Sequence, residues 1–272
     1  MYKEFFGLKE KPFNVTSDPS FLFLSRVHKE AFSHLLYGIK ERKGFLEITG
    51  EIGAGKTTLC RALLNHLDAN TKSAFIFNST LPDMQLFQTI LEDFGLPIER
   101  KTKAAMLRQF NNFLLDELSR NNNVVLIIDE AQNLKNSALE ELRILSNLET
   151  EKEKLFQMIL VGQPQLRDKI NSPNLEQLRQ RISVRFHITS LEGDEVGEYI
   201  YHRLKIAGSG GDIIFSGDAL GCIYRYSNGI PRLINKICDK ALLCAYVMET
   251  RHVDVSIVER CIHEIEGMVA VA

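Results

Sequence analysis

The chain reads as an α/β protein: a three-layer core built on a five-stranded parallel sheet, followed by an all-helical domain. Three observations predict this. Five short, β-rich apolar runs alternate with helical patterns, an alternation that makes strands parallel and puts helices on both faces of the sheet. The first run leads into Gly50-Glu-Ile-Gly-Ala-Gly-Lys-Thr57, a complete G-x-x-x-x-G-K-[ST] loop in the strand–loop–helix context that the pattern requires. From about residue 190 the strand-like runs stop and only helical patterns follow. The expected division is an α/β core over residues 1–190, with an N-terminal arm and first helix in 1–43, and a helical domain over 191–272.

In order, the expected strands are Phe45–Thr49, Ala74–Asn78, Val124–Ile128, Gln157–Val161 and Val184–Ile188. Helical spacing follows the glycine loop at Leu59–Leu64 and Leu67. Between the second and third strands lie two amphipathic helices, Asp83–Phe94 and Lys103–Ser119, parted by the stop and restart of Gly95-Leu-Pro97. After the third strand, Ser137-Ala-Leu-Glu140 reads as a capping box opening a helix that carries Leu139, Leu142, Leu145 and Leu148. Beyond residue 190, Asp194–Ile206, Asp218–Tyr226, Pro231–Tyr246 and Val255–Glu266 read as helices, joined by loops at Gly208–Gly211 and Asn228-Gly229.

Composition narrows the class. Hydrophobic content of 44% and charged content of 25% suit a globular protein. A formal net charge of −2 gives no general attraction to nucleic acid, although a local basic patch stays open. The five cysteines, Cys60, Cys222, Cys238, Cys244 and Cys261, form no C-x-x-C pair and mostly sit on apolar helix faces. They read as small buried hydrophobes, which points to a reducing, cytoplasmic setting. The N-terminus interleaves charge with apolar residues and so is no signal peptide. No apolar run approaches the roughly 18 residues a membrane span needs. The ending Gly267–Ala272 is apolar but short, and reads as a frayed tail or the point at which a longer natural protein was cut.

The chemistry is carried by a few side chains. Gly50, Gly53 and Gly55 let the loop turn tightly and aim backbone N–H groups at an anion, with Glu51, Ile52, Ala54 and Thr58 completing it. Lys56 is spaced to reach the β- and γ-phosphates of a nucleotide, and Thr57 to offer its hydroxyl to Mg²⁺. Val124-Val-Leu-Ile-Ile-Asp129-Glu130 is a buried strand ending in two carboxylates, which need a counter-charge because an unpaired buried carboxylate is costly. Mg²⁺ supplies it: Asp129 would hold the ion and Glu130 would orient and deprotonate the attacking water of ATP hydrolysis. Gln163, at the tip of the fourth strand, is placed to sense the γ-phosphate or that water. Arg179, Arg181 and Arg185 crowd the fifth strand. One of them, with Arg181 preferred, reads as a finger that reaches a neighbouring subunit's nucleotide. Arg232 follows Pro231 at a helix start, where the helix dipole disfavours a cation. It therefore reads as a lid arginine serving the nucleotide.

Taken together, these motifs resemble the AAA+ ATPases, in the same order and over essentially the whole chain. More narrowly, Phe5-Phe-Gly-Leu8, Lys11-Pro-Phe13, Asp18–Leu24 and His28-Lys-Glu-Ala31 resemble the N-terminal signature of the general secretion pathway protein A family. So do Asp129–Leu134, Gly162–Leu166 and Pro231–Asn235. The resemblance implies ATP and Mg²⁺ as ligands, held between core and lid, with a homo-oligomer such as a hexameric ring completing each site. It also implies that Pro12–His28 wraps the adenine side, with Phe13 and Pro19 as stacking groups or as caps of the core. Family members act in the cytoplasm, some as the cytoplasmic part of an inner-membrane protein. Their partners are type II secretion, exopolysaccharide or pilus envelope systems. Two rival readings stay open: a nucleotide-dependent assembly switch with little turnover, which Glu130 argues against, and a DNA-associated ATPase of transposition or initiation type, which the mild acidity argues against.

Overall fold

In the computed structural model the described residues are 1–77, 81–98, 100–149 and 154–267. Contacts group the chain into two compact units, one of residues 27–50 and 59–188, the other of residues 1–26, 51–58 and 189–272.

The first unit is built on five parallel strands: β1 (Phe45–Gly50), β2 (Thr71–Ile76), β3 (Asn123–Ile128), β4 (Gln157–Gly162) and β5 (Ile182–Ile188). All are parallel, as the alternation of β-rich runs with helical patterns required, and their spatial order is β2-β3-β4-β1-β5. β1 pairs with β4 from Phe45↔Met158 to Thr49↔Gly162, and β3 pairs with β2 up to Ile128↔Ile76. These registers bring the C-terminal ends of the central strands level. β1 and β4 are buried throughout, the pattern of a parallel sheet covered on both faces. The helices around it are α2 (Arg26–Lys40), α3 (Lys56–His66), α4 (Asp83–Asp93), α5 (Lys103–Ser119), α6 (Asn136–Leu145), α7 (Pro164–Ile170) and α8 (Glu176–Arg181). Ile90 and Leu91 of α4, Met106 and Phe110 of α5 and Leu139 of α6 pack with Leu126, Ile128, Met158 and Leu160. Each such side chain contributes about 1.5–3 kcal/mol of transfer free energy.

Three expectations for this unit are corrected. β2 starts at Thr71 rather than Ala74, since Thr71, Lys72 and Ser73 pair with β3 on a sheet edge where half the face is exposed. An apolar-run criterion misses such residues; Asn78, its expected end, lies outside the described residues. β5 likewise starts two residues early, at Ile182, which pairs with Phe45. The capping box does not form: α6 begins at Asn136 with Lys135 as N-cap and no side-chain cap. Ser137 lies within its first turn, and Glu140 pairs with Arg143 at 2.7 Å instead.

The second unit comprises α1 (Tyr2–Phe5), a 3₁₀ turn at Pro19–Phe21, and helices α9 (Gly193–Ile206), α10 (Gly217–Ser227), α11 (Pro231–Val247) and α12 (Val255–Ile265). It is not all-helical, which corrects the sequence reading. β6 (Ile214–Phe215) and β7 (His252–Val253) form a small parallel pair, Ile214↔His252 and Phe215↔Val253. Phe215 and Val253 face inward while Ile214 and His252 stay exposed; two-residue strands leave no periodicity to detect. Side-chain caps start two of the helices, Ser216 accepting from the Ala219 N–H and Asp254 from the Ile257 N–H.

By contacts, the N-terminal arm groups with these helices. Phe6, Leu8, Phe13 and Phe21 are buried among Val196, Ile200, Ile234 and Leu242. Arg203, itself buried, donates to the carbonyls of Pro12 (2.5 Å) and Asn14 (3.1 Å). Its guanidinium lies 4.8 Å from the Phe21 ring centroid, so its charge is compensated by carbonyl oxygens and an aromatic face. All five cysteines are free thiols, and all but Cys244 are buried. Among the described residues no helix is long and apolar enough to cross a membrane.

Candidate nucleotide site

The glycine loop leaves the end of β1. A Cβ on Gly50 would lie 2.7 Å from the carbonyl oxygen of Ile188, so only glycine lets the strand ends close here. Gly53 (φ +83°) and Gly55 (φ +94°) adopt left-handed backbone, the conformations that turn successive N–H groups toward one point. Between them Ala54 is buried, and its N–H donates to the Glu51 carbonyl at 3.1 Å. Lys56, 5% exposed, opens α3 and donates from Nζ to the same carbonyl at 2.8 Å. Thr57 and Thr58 follow in the first helical turn, while Glu51 and Ile52 are exposed. This is an anion cradle with an ammonium held at its rim, which fits the phosphates of a nucleotide.

In the same unit, Arg232 is the second residue of α11, directly after Pro231. Its N–H donates to the Gly53 carbonyl at 3.3 Å. The approach is close enough that a Cβ on Gly53 would come 2.5 Å from that of Arg232. Of the two candidate stacking groups, Pro19 is half-buried at the start of the 3₁₀ turn, which Asp18 caps through the Ser20 N–H. Phe13 is 1% exposed within the core. An adenine could meet that ring only if the core opened.

The carboxylates follow β3 in the α/β unit. Asp129 is buried; its N–H donates to the Ile76 carbonyl at 2.9 Å and its Oδ1 accepts the Glu130 N–H at 2.8 Å. Glu130 is left-handed (φ 51°, ψ 36°), a backbone state that costs a non-glycine residue about 1–3 kcal/mol and persists only where its surroundings enforce it. Those surroundings are amides. Glu130 Oε2 accepts from Gln132 Nε2 at 2.5 Å and from Gln163 Nε2 at 3.1 Å. Gln132 Oε1 in turn accepts the Gln163 N–H at 3.1 Å. Lys169, on α7, donates to the carbonyls of Gln132 (2.5 Å) and Leu134 (2.8 Å). The structure thus brings Glu130 and Gln163 together, and adds Gln132 and Lys169, to which sequence reasoning gave no role. The signal for Gln132 was its place two residues after Glu130. Nothing in the sequence pointed to Lys169.

The three arginines differ in their partners. Arg181, the last residue of α8, donates from Nη1 to Ser146 Oγ at 2.9 Å. Arg179 makes a 3.8 Å ion pair with Glu176. Arg185, on β5, is engaged three ways: Nε 3.4 Å from Glu47 Oε2, Nη1 on Asn171 Oδ1 (3.2 Å) and Nη2 on the Arg179 carbonyl (3.2 Å). Glu47 itself is buried in mid-strand. Burial holds its carboxyl above the ordinary range, against the opposing pull of Arg185 and Arg167.

The two metal donors expected from the sequence, the Thr57 hydroxyl and the Asp129 carboxylate, are each hard oxygen, the donor type that Mg²⁺ takes. Among the described residues no cluster of three or more His, Cys, Asp or Glu side chains forms a protein cage.

Comparison with known proteins gives one sequence family and a wide structural kinship. Residues 39–170 match a family described as "AAA domain". The general secretion pathway protein A of Aeromonas hydrophila is 40% identical over 269 residues, 98% of this chain and 49% of the relative. The chain therefore spans about half the length of the curated relative it matches. Among solved structures, the Aeropyrum pernix ORC2 protein in its ADPNP–ADP complexes aligns with a TM-score of 0.69 at 18% identity, covering 94% of this chain and 72% of that one. The Drosophila ORC bound to DNA aligns at 0.67 and 18%, covering 89% and 60%. The Thermotoga maritima RuvB branch-migration motor aligns at 0.59 and 18%, covering 88% and 68%. At these identities the structural matches speak for the fold.

Proposed function

Because the chain belongs to the AAA family of P-loop proteins, we propose that it binds ATP with Mg²⁺ and hydrolyses it to drive assembly or remodelling of a partner complex. The observation that carries this reading is Glu130: a carboxylate held by two amides on a left-handed backbone, next to a buried Asp129. A protein that only binds nucleotide has no need of such a group. Lys56 and the N–H groups of residues 50–58 bind the phosphates. Thr57 and Asp129 would each offer a hard oxygen to Mg²⁺, which would supply positive charge beside the phosphates. Glu130 orients the water and takes its proton, Gln163 reads the γ-phosphate, and Arg232 contacts the nucleotide from the helical lid. Arg181 serves a neighbouring subunit's site, so the working form is a homo-oligomer. Functionally the chain divides into an α/β core (1–190) and a lid (191–272), with Pro19 on the adenine side and Phe13 supporting it from within the core.

The partner complex is an envelope secretion or polysaccharide-export system, on the cytoplasmic side of the membrane. This rests on the 40% identity with general secretion pathway protein A. Two variants test the reading. Lys56→Ala is expected to lose detectable ATP binding by calorimetry with Mg²⁺ present. Glu130→Gln is expected to bind ATP like the parent but turn it over about 10²–10⁴-fold more slowly. Unchanged affinity in the first variant sinks the loop assignment. A parent with no turnover at any protein concentration favours the assembly switch.

A further inference from the structure

We propose that Gln132 is a positioning residue for Glu130, tying the base to the tip of β4 so that Glu130 and Gln163 move as one hydrogen-bonded piece. The inference rests on the reading of Glu130 as general base. Both ends of the Gln132 amide are used: Nε2 donates to Glu130 Oε2, and Oε1 accepts the backbone N–H of Gln163. A side chain bonded at both ends has little rotational freedom left. Its backbone is fixed too, because Lys169 donates to its carbonyl and to that of Leu134. Room for this is made at Gly162, where a Cβ would come 2.7 Å from Gln132 Oε1.

Bonding at both ends gives Gln132 a role that filling space would not. The Gln163 side chain donates to the same carboxylate oxygen, Glu130 Oε2, while the Gln163 backbone N–H bonds the other end of Gln132. Any shift of Gln163, such as one drawn by a ligand at the end of β4, therefore reaches Glu130 by two routes. A base for water attack must be held within a fraction of an ångström, and misplacement by about 1 Å can cost 10²-fold in rate. Glu130 cannot be held by its own backbone alone, since its left-handed conformation is one that a glutamate leaves readily.

The test compares steady-state ATP turnover, ATP affinity and thermal unfolding in the parent, Gln132→Met, Gln132→Glu, Glu130→Gln and the double variant Glu130→Gln/Gln132→Met. Gln132→Met keeps length and loses both amide ends. Gln132→Glu keeps an acceptor for the Gln163 N–H and loses the donor to Glu130, so it decides the matter if the methionine variant folds poorly. The expected result is a kcat about 10- to 100-fold lower in either variant, with KM and ATP affinity within about twofold of the parent. In the Glu130→Gln background the same change should cost much less than in the parent, because the carboxylate that Gln132 positions is gone. Parental kcat in both Gln132 variants overturns the inference and leaves the base reading intact, provided Glu130→Gln is slow. An equal loss in both backgrounds also overturns it, since Gln132 would then act elsewhere. Normal turnover by Glu130→Gln, or none by the parent, removes the base reading and this role with it.

Discussion

The backbone N–H of Arg232 donates to the carbonyl oxygen of Gly53, so the arginine proposed to read the nucleotide is already bonded to the loop proposed to hold its phosphates. Loop and helix start meet through main-chain atoms, at a spacing that admits no side chain on residue 53. A movement of α11 that breaks this bond would also release the loop.

Gly53→Ala should therefore hurt binding more than a surface glycine change. The substitution meets a positive φ and a Cβ clash with Arg232 together. Strain alone costs about 1 kcal/mol or more, and relief requires loop and helix to part. The expected outcome is an ATP affinity lower by about tenfold or more, with a lower unfolding temperature; calorimetry and thermal melts read both. Gly210→Ala is the control, since a Cβ there meets nothing within 4 Å. Parental affinity in Gly53→Ala would mean that the loop's geometry does not govern binding.

The proposal that Arg181 serves a neighbour's nucleotide predicts a specific activity that rises with protein concentration. Arg181→Ala should keep ATP binding and lose turnover, because guanidinium matters most where transition-state charge builds. Mixing it with Lys56→Ala should recover some activity, each mutant leaving the other's half-site intact. Since Arg181 also donates to Ser146, Ser146→Ala separates the roles and should keep its turnover. Concentration-independent activity with a fully active Arg181→Ala protein would retire the oligomer proposal.

Glu47 makes stability depend on pH. Burial raises its pKa in the folded chain above the ordinary value of 4.5, so the folded state binds the proton more tightly than the unfolded one. The stability this contributes is fully present below the unfolded pKa and is lost as pH rises through the higher folded value. Urea midpoints of Glu47→Gln and the parent should agree best at acidic pH, and the variant should gain on the parent as pH climbs toward neutrality. A gap that shrinks with rising pH would mean that Arg185 and Arg167 outweigh burial.

The five parallel strands and the glycine loop were legible because they rest on features local in sequence: buried apolar runs and a fixed spacing of glycines. What stayed hidden depends on partners far along the chain. Thr71–Ser73 is strand only because β3 lies beside it, and β6 and β7 are too short to have a period. Ser137 had the letters of a cap, yet the helix began one residue before it, and no sequence rule arbitrates a shift so small. In the candidate site, Asp129 and Glu130 stood out as two acids ending an apolar run. Gln132 and Lys169 did not, because their importance lies in what their amide and ammonium reach, Glu130 and Gln163 for one and two carbonyls for the other. The arginines were legible as a group; their separate partners were not.

Arg203 has a consequence for how the chain is made. It ties down the carbonyls of Pro12 and Asn14 from 191 and 189 residues away, and Tyr2 bonds Asp239 from a distance of 237. During synthesis the arm emerges long before these partners and waits for them. Until then Phe6, Phe13 and Phe21 have no core to enter, and late closure of such long-range contacts is slow and exposes apolar surface. The helical unit can be completed only after α11 has been translated, so the apolar side chains of the arm stay without their core on the nascent chain until then.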